Sequence, residues 1–213
     1  VLVNRWRMSL LLLLSGIALG LVLARKSPVR LIGNRSWRLL LPLAFGIVAI
    51  VPVQAYCEAR MLDTVEPGFT VFLLRYLQLR PWPAGTFTGA EYGFTWNHLW
   101  YLAYLWVYTV LVLLALPVLR AIGGARFADW LTTRGRGLLW TLPALWLLFV
   151  LLVLAPRYPS THAVVGDWFN HAKYLPVFAF GVLIARRDPL WIALDTHRWR
   201  LFGLALLGAT VYV

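Results

Sequence analysis

Trp96-Asn97-His98-Leu99-Trp100-Tyr101-Leu102-Ala103-Tyr104-Leu105-Trp106 opens a run that carries no charge from Leu99 to Leu119 and closes at Pro117 and Arg120. At ~1.5 Å per helical residue such a run reaches across ~30 Å of hydrocarbon. Its first half is not plain lipid-facing material. Asn97, Tyr101, Tyr104 and Tyr108 recur at steps of four, three and four, which puts them on one face of a helix. His98 sits beside that stripe, with Trp96, Trp100 and Trp106 at or near the same end. Two readings are open. The aromatics form a belt at the membrane boundary, where Trp and Tyr collect, or the stripe faces a polar cavity or neighbouring helices, because hydrogen-bonding groups in hydrocarbon need partners.

Working outward, composition gives the class. The chain of 213 residues is 61% hydrophobic with 12 Trp, and its mean hydropathy is +0.73. That is an integral membrane protein, not a soluble domain. A single cysteine, Cys57, excludes an internal disulfide and any Cys-based metal site, and is expected to pack as a small apolar residue. The net charge of +12 does not point to nucleic acid, since the basic residues fall between hydrophobic runs and read as topology.

Five complete apolar spans and one partial span are expected, near residues 8–24, 39–56, 98–119, 137–155, 168–185 and 201–213. The fold class is therefore all-α, a polytopic transmembrane helical bundle. The first run follows Arg5-Trp6-Arg7 and could pass for a signal peptide. Its length and the Gly16-x-x-x-Gly20 face beside Ser15 favour a retained span suited to close helix packing. A basic loop with Arg25, Lys26, Arg30, Arg35 and Arg38 leads to the second span, where Pro42 is placed in the first turn and Pro52 is expected to kink the far end. Residues 57–95 form the longest less apolar segment. Within it Phe69 to Leu79 is too short to span, and reads as an interfacial helix or a re-entrant piece packed on the bundle.

Orientation follows from the cations. Placing loops 25–38, 120–136 and 186–200 on one side puts thirteen of the 20 Lys and Arg there, so those loops are assigned to the cytoplasm. Residues 57–97 and 156–172 then lie outside, with Asn97 and His98 at the outer end of the third span and Asn170, His171 and Lys173 at that of the fifth. Arg5 and Arg7 lie at the outer end of the first. Val1 would also be outside, so at least one further span is expected before it and the chain is expected to be a fragment, inactive alone. A histidine near its ordinary pKa of ~6.5 suits a general base for a hydroxyl, and arginines suit an oxyanion, phosphate or carboxylate. Taken singly, each histidine also reads as an interfacial residue, and each arginine as a topology signal. There is no phosphate-binding glycine loop, HExxH, Cys/His cluster or G-x-S-x-G serine, and no metal site is expected.

Four segments carry a resemblance. Arg7-Met8-Ser9-Leu10 through Leu14-Ser15-Gly16 is similar to the second transmembrane helix of the acyltransferase-3 family. Arg35-x-x-Arg38-Leu39-Leu40-Leu41-Pro42 resembles that family's Arg-rich entry to the next span. His98-Leu99-Trp100-Tyr101-Leu102 resembles its most specific helix motif, and Phe178-x-Phe180-Gly181-Val182-Leu183 a later one. The glucan-modifying branch, which includes the succinyltransferase of periplasmic glucans, is nearest in flavour.

The resemblance implies a multi-pass O-acyltransferase of the bacterial inner membrane. It would take an acetyl- or succinyl-type group from cytoplasmic acyl-CoA and pass it to hydroxyls of a periplasmic or surface glycan. Its partners would be acyl-CoA, the glycan acceptor and membrane lipids, with no nucleic acid and no bound cofactor. The family's catalytic histidine is expected in a further helix upstream of Val1, so the catalytic residue here is unknown. Arg5, Arg7, Arg35, Arg38, His98, Trp100, Tyr101 and His171 are the candidates for the substrate or donor path. The alternative is a transporter or flippase subunit for a lipid-linked sugar, which would need no acyl donor.

Overall fold

A computed structural model describes residues 2–23, 25–122, 136–185 and 188–203. Every regular element among them is helical. The α-helices are α1 (Leu2–Leu23), α2 (Pro28–Phe45), α3 (Val51–Met61), α4 (Phe69–Tyr76), α5 (Trp100–Leu114), α6 (Leu116–Ile122), α7 (Arg136–Phe149), α8 (Trp168–Ile184) and α9 (Asp188–Thr196). Two stretches are long and apolar enough to cross a membrane, Pro28–Met61 with 34 residues and Asn97–Leu114 with 18. Arg7–Leu23 and Thr141–Leu154 are shorter apolar helices. Residues 204–213 of the partial last span, Gly123-Gly124 with Arg126 and Arg134, and Arg186 and Arg187 lie outside the described residues.

The second apolar run departs from its sequence reading. Arg30, Arg35 and Arg38 are not on a loop; α2 already begins at Pro28, so Pro42 lies well inside it. The cause is visible in Ser27-Pro28, a capping residue followed by proline at the first helical position, where its missing N–H costs nothing. Helix then continues beyond α2 through a π turn, Gly46–Ile50, into α3. A second π turn, Val150–Leu154, follows α7. In each, the residue just before a proline makes the widened bond. Val51 N–H reaches the Gly46 carbonyl ahead of Pro52, and Ala155 N–H reaches the Val150 carbonyl ahead of Pro156. Proline crowds the carbonyl four residues back, and one wider turn relieves it; before Pro52 the helix then runs on into α3, whereas before Pro156 it ends.

Helix α5 stops earlier than the charge-free run. It breaks at Ala115 and resumes as α6, whose second residue is Pro117; with no N–H, Pro117 leaves the Leu113 carbonyl without its helical donor.

The chain forms two compact units, residues 1–31 with 108–213, and residues 32–107. In the first, α1 lies along α8 through glycines. A Cβ at Gly16 would fall on the Phe178 carbonyl oxygen, and one at Gly181 on the Leu13 carbonyl oxygen. At Gly20 a Cβ would meet the Ala185 Cβ at 2.5 Å and the Val182 oxygen at 2.7 Å. Only hydrogen fits at these contacts, which is the close backbone approach small residues allow in membrane helices. Leu13 and Ile17 pack on Ile184 beside this seam. Pro176, inside α8, leaves the Ala172 carbonyl without its helical donor, and the Trp146 indole N–H of α7 fills that place at 2.8 Å.

The core of the second unit is aromatic. Phe72 and Tyr76 of α4 pack with Trp82 and Phe87 against Val51, Ala55 and Ala59 of α3. The hydroxyl of Tyr76 donates to the Thr95 carbonyl at 3.1 Å and accepts from the Thr95 N–H at 3.2 Å. Glu58 accepts from Thr88 N–H and Oγ1 at 2.9 and 2.7 Å. Gly93 has φ 78°, and a Cβ there would meet the Leu79 carbonyl group at 2.7 Å, so both its backbone angle and its lack of a Cβ are used. Cys57, expected to be packed, is exposed, because it lies on the side of α3 away from Val51, Ala55 and Ala59.

Candidate functional site

The candidates divide between the two units. In the first unit, Arg5 and Arg7 lie on the opening turns of α1, and Arg7 is exposed. His171 is on the first turns of α8, half-buried, and both its ring nitrogens are engaged. Nε2 lies 2.8 Å from the Val164 carbonyl oxygen, which can only accept, so Nε2 carries the proton. Nδ1 then holds the lone pair and accepts from the Tyr108 hydroxyl at 3.1 Å. The ring is thereby held from both sides.

Next to it is a network the sequence reading did not assemble. Asp167, fully buried, caps α8: one carboxylate oxygen accepts from Asn170 N–H at 3.4 Å. The other accepts from the Asn170 side-chain amide and the His162 N–H, both at 2.8 Å. Asn170 Nδ2 also reaches Ser160 Oγ at 2.6 Å. His162 holds a left-handed backbone, φ 55°, to present its N–H. The available signal was Asp167-x-x-Asn170, an N-cap residue three positions ahead of an amide that bonds back.

In the second unit, Arg35 and Arg38 stand one turn apart on α2, Arg35 half-buried and Arg38 exposed. Between them Ser36 Oγ accepts the Trp106 indole N–H at 2.8 Å, tying α2 to α5. His98 is exposed in a 3₁₀ turn, Asn97–Leu99, that leads into α5. Asn97 there has φ 45°, donates its N–H to Thr95 Oγ1 at 3.1 Å and reaches Gln54 Oε1 through its amide at 3.2 Å. The 3₁₀ turn and this left-handed angle take Asn97 off the regular helical stripe that includes Tyr101, Tyr104 and Tyr108. Trp100 is buried edge-on against Tyr104, ring centres 5.0 Å apart, while Tyr101 is half-buried. Tyr104 and Tyr108 are fully buried. Among the described residues, no three His, Cys, Asp or Glu side chains are gathered as a metal site.

Comparison with protein families gives a match to an acyltransferase domain over residues 2–213. The chain belongs to the acyltransferase-3 family. Its members are membrane acyltransferases, in keeping with two helices here that could cross a bilayer. No curated protein and no solved structure gives a match.

Proposed function

We propose that this acyltransferase-3 protein is a multi-pass enzyme of the bacterial inner membrane, with five complete spans and a partial sixth. It moves an acetyl- or succinyl-type group from cytoplasmic acyl-CoA to hydroxyls of a periplasmic or surface glycan. The observation that carries the reading is the family match along nearly the whole chain. Arg35 and Arg38 support the donor half: two guanidiniums on one face of α2 suit the phosphates of coenzyme A, which arginine binds bidentately. For the acceptor half, exposed His98 and half-buried Tyr101 at the start of α5 supply hydrogen-bonding groups beside an aromatic wall, a lining suited to a sugar. Trp100 serves that wall from beneath. His171, with its lone pair accepting from Tyr108, acts here as a positioning group at the head of α8.

The test expresses the complete gene in a host lacking the activity and measures ester-linked acyl groups on envelope glycans by mass spectrometry. New O-acyl groups are expected, traced by label from acyl-CoA. Arg35→Gln with Arg38→Gln should raise the apparent KM for acyl-CoA by about tenfold, from the ~1.5–3 kcal/mol of a charge-assisted bond partly lost, with the protein still inserted. Unaltered acyl content with the wild-type gene would remove the proposal.

A further inference from the structure

Helix α4 has two unlike faces. Phe72 and Tyr76 point into the aromatic core. Val71, Leu74, Arg75 and Gln78, spaced by three, one and three residues, form the opposite stripe and line a groove of about 460 Å³ that Arg80 and Pro81 complete. Val71 is 74% exposed and Leu74 62%. Leu77 and Leu79 continue the exposed apolar surface.

The polar part of the groove is cationic. The Arg75 guanidinium lies over the Trp82 ring, 4.1 Å from its centre, on a side chain that stays exposed. Arg80 follows Leu79, whose left-handed backbone, φ 53°, turns the chain at the end of α4. The ion pairs found among the described residues are Arg60–Asp63 and Arg198–Asp195, so neither groove arginine is neutralised by a carboxylate.

We infer that this groove binds the headgroup phosphate of an anionic bilayer phospholipid, with Val71 and Leu74 against the upper acyl chains. Charge complementarity selects the occupant. A protein partner could cover the leucines, but two uncompensated arginines beside them match a molecule that is anionic and apolar within a few ångströms. Phospholipid at the membrane boundary is that molecule, and α4 then lies flat in the interface, as a short amphipathic helix does. The inference does not depend on acyl transfer.

Native mass spectrometry of the full-length protein, titrated with phosphatidylglycerol or phosphatidylcholine in detergent, tests it. Wild type should retain phosphatidylglycerol preferentially. Arg75→Gln with Arg80→Gln should weaken that preference by about fivefold per arginine, and the double Lys variant should keep part of it. Inorganic phosphate at millimolar concentration should not displace the lipid. Equal retention of the two lipids, or an unchanged preference in the Gln variant, overturns the inference; displacement by phosphate alone makes this a free-anion site and overturns it too. As a second measurement, a spin label at Leu74→Cys in a Cys57→Ser background should be more accessible to oxygen than to a water-soluble nickel complex. The reverse would place α4 in water.

Discussion

Gly16→Ala adds one methyl group where α1 meets α8. The new carbon would overlap the Phe178 carbonyl oxygen and lie 3.1 Å from the carbonyl carbon and 3.3 Å from the Gly181 Cα. All three are backbone atoms, so no rotamer change relieves them. Carbon contacts settle near ~3.5–4.0 Å, and the helices have to part by something on the order of 1 Å. That shift also loosens Leu13 and Ile17 from Ile184. Overpacking of this kind costs about 1–3 kcal/mol. At roughly 2–4 °C per kcal/mol for a chain of this size, the melting temperature in detergent should drop by about 5 °C. The control is Gly33→Ala, inside α2, where a Cβ meets nothing within 4 Å. There the methyl group improves helix propensity by up to ~1 kcal/mol, and melting should hold steady or rise. Size-exclusion profiles after graded heating read both variants side by side. If Gly16→Ala melts with or above Gly33→Ala, the contact between α1 and α8 is not as close as described.

Two further predictions concern polar bonds. Asp167→Ala strands the Asn170 and His162 N–H groups and the Asn170 amide, and should cost about 2–4 kcal/mol; trypsin should then cut after Arg157 several times faster than in wild type. Tyr76→Phe removes both bonds to Thr95 and should cost about 2 kcal/mol. Burial pushes the Tyr76 hydroxyl above its ordinary range, against the Thr95 hydrogen bond that pulls it down. The unfolded chain therefore loses this proton first as pH climbs past ~10, binds fewer protons than the native state, and gains ground. Melting curves taken from pH 9 to 11 should show a loss of stability in wild type that Tyr76→Phe lacks in part.

Apolar run length and the charges between runs were enough to read an all-helical membrane chain. The sequence reading failed where a polar stretch is itself helical. Arg25 to Arg38 looks like a loop because of its charge density, yet Arg30, Arg35 and Arg38 share one side of a helix that Ser27-Pro28 starts, and only the residues before Pro28 are a turn. From the sequence, Pro42 reads as a first-turn residue and Pro52 as a kink. Pro42 and Pro176 lie inside helices, and at Pro176 a tryptophan 30 residues earlier supplies the missing donor. No local pattern shows that Trp146 will be there. Likewise the π turns before Pro52 and Pro156 are local solutions to a local clash, but the choice between widening a turn and ending the helix depends on what the next residues pack against.

The histidines show the same boundary from the side of function. A topology argument can put a residue at one end of a span but cannot say which of its atoms are spoken for. His171 was singled out for its place near the end of an apolar run, and there it donates to Val164 and accepts from Tyr108, 63 residues away. A base needs a free lone pair within reach of the proton it takes, and this lone pair already has a donor. To serve as one, His171 would have to release Tyr108 at a cost of about 1 kcal/mol or more, and expose a fully buried hydroxyl. His98 bears no such cost: it is exposed at the head of α5, in the segment that most resembles the family's motif. The two residues therefore differ: His98 is exposed where the proposed acceptor path would run, whereas His171 is bonded into the frame at the head of α8.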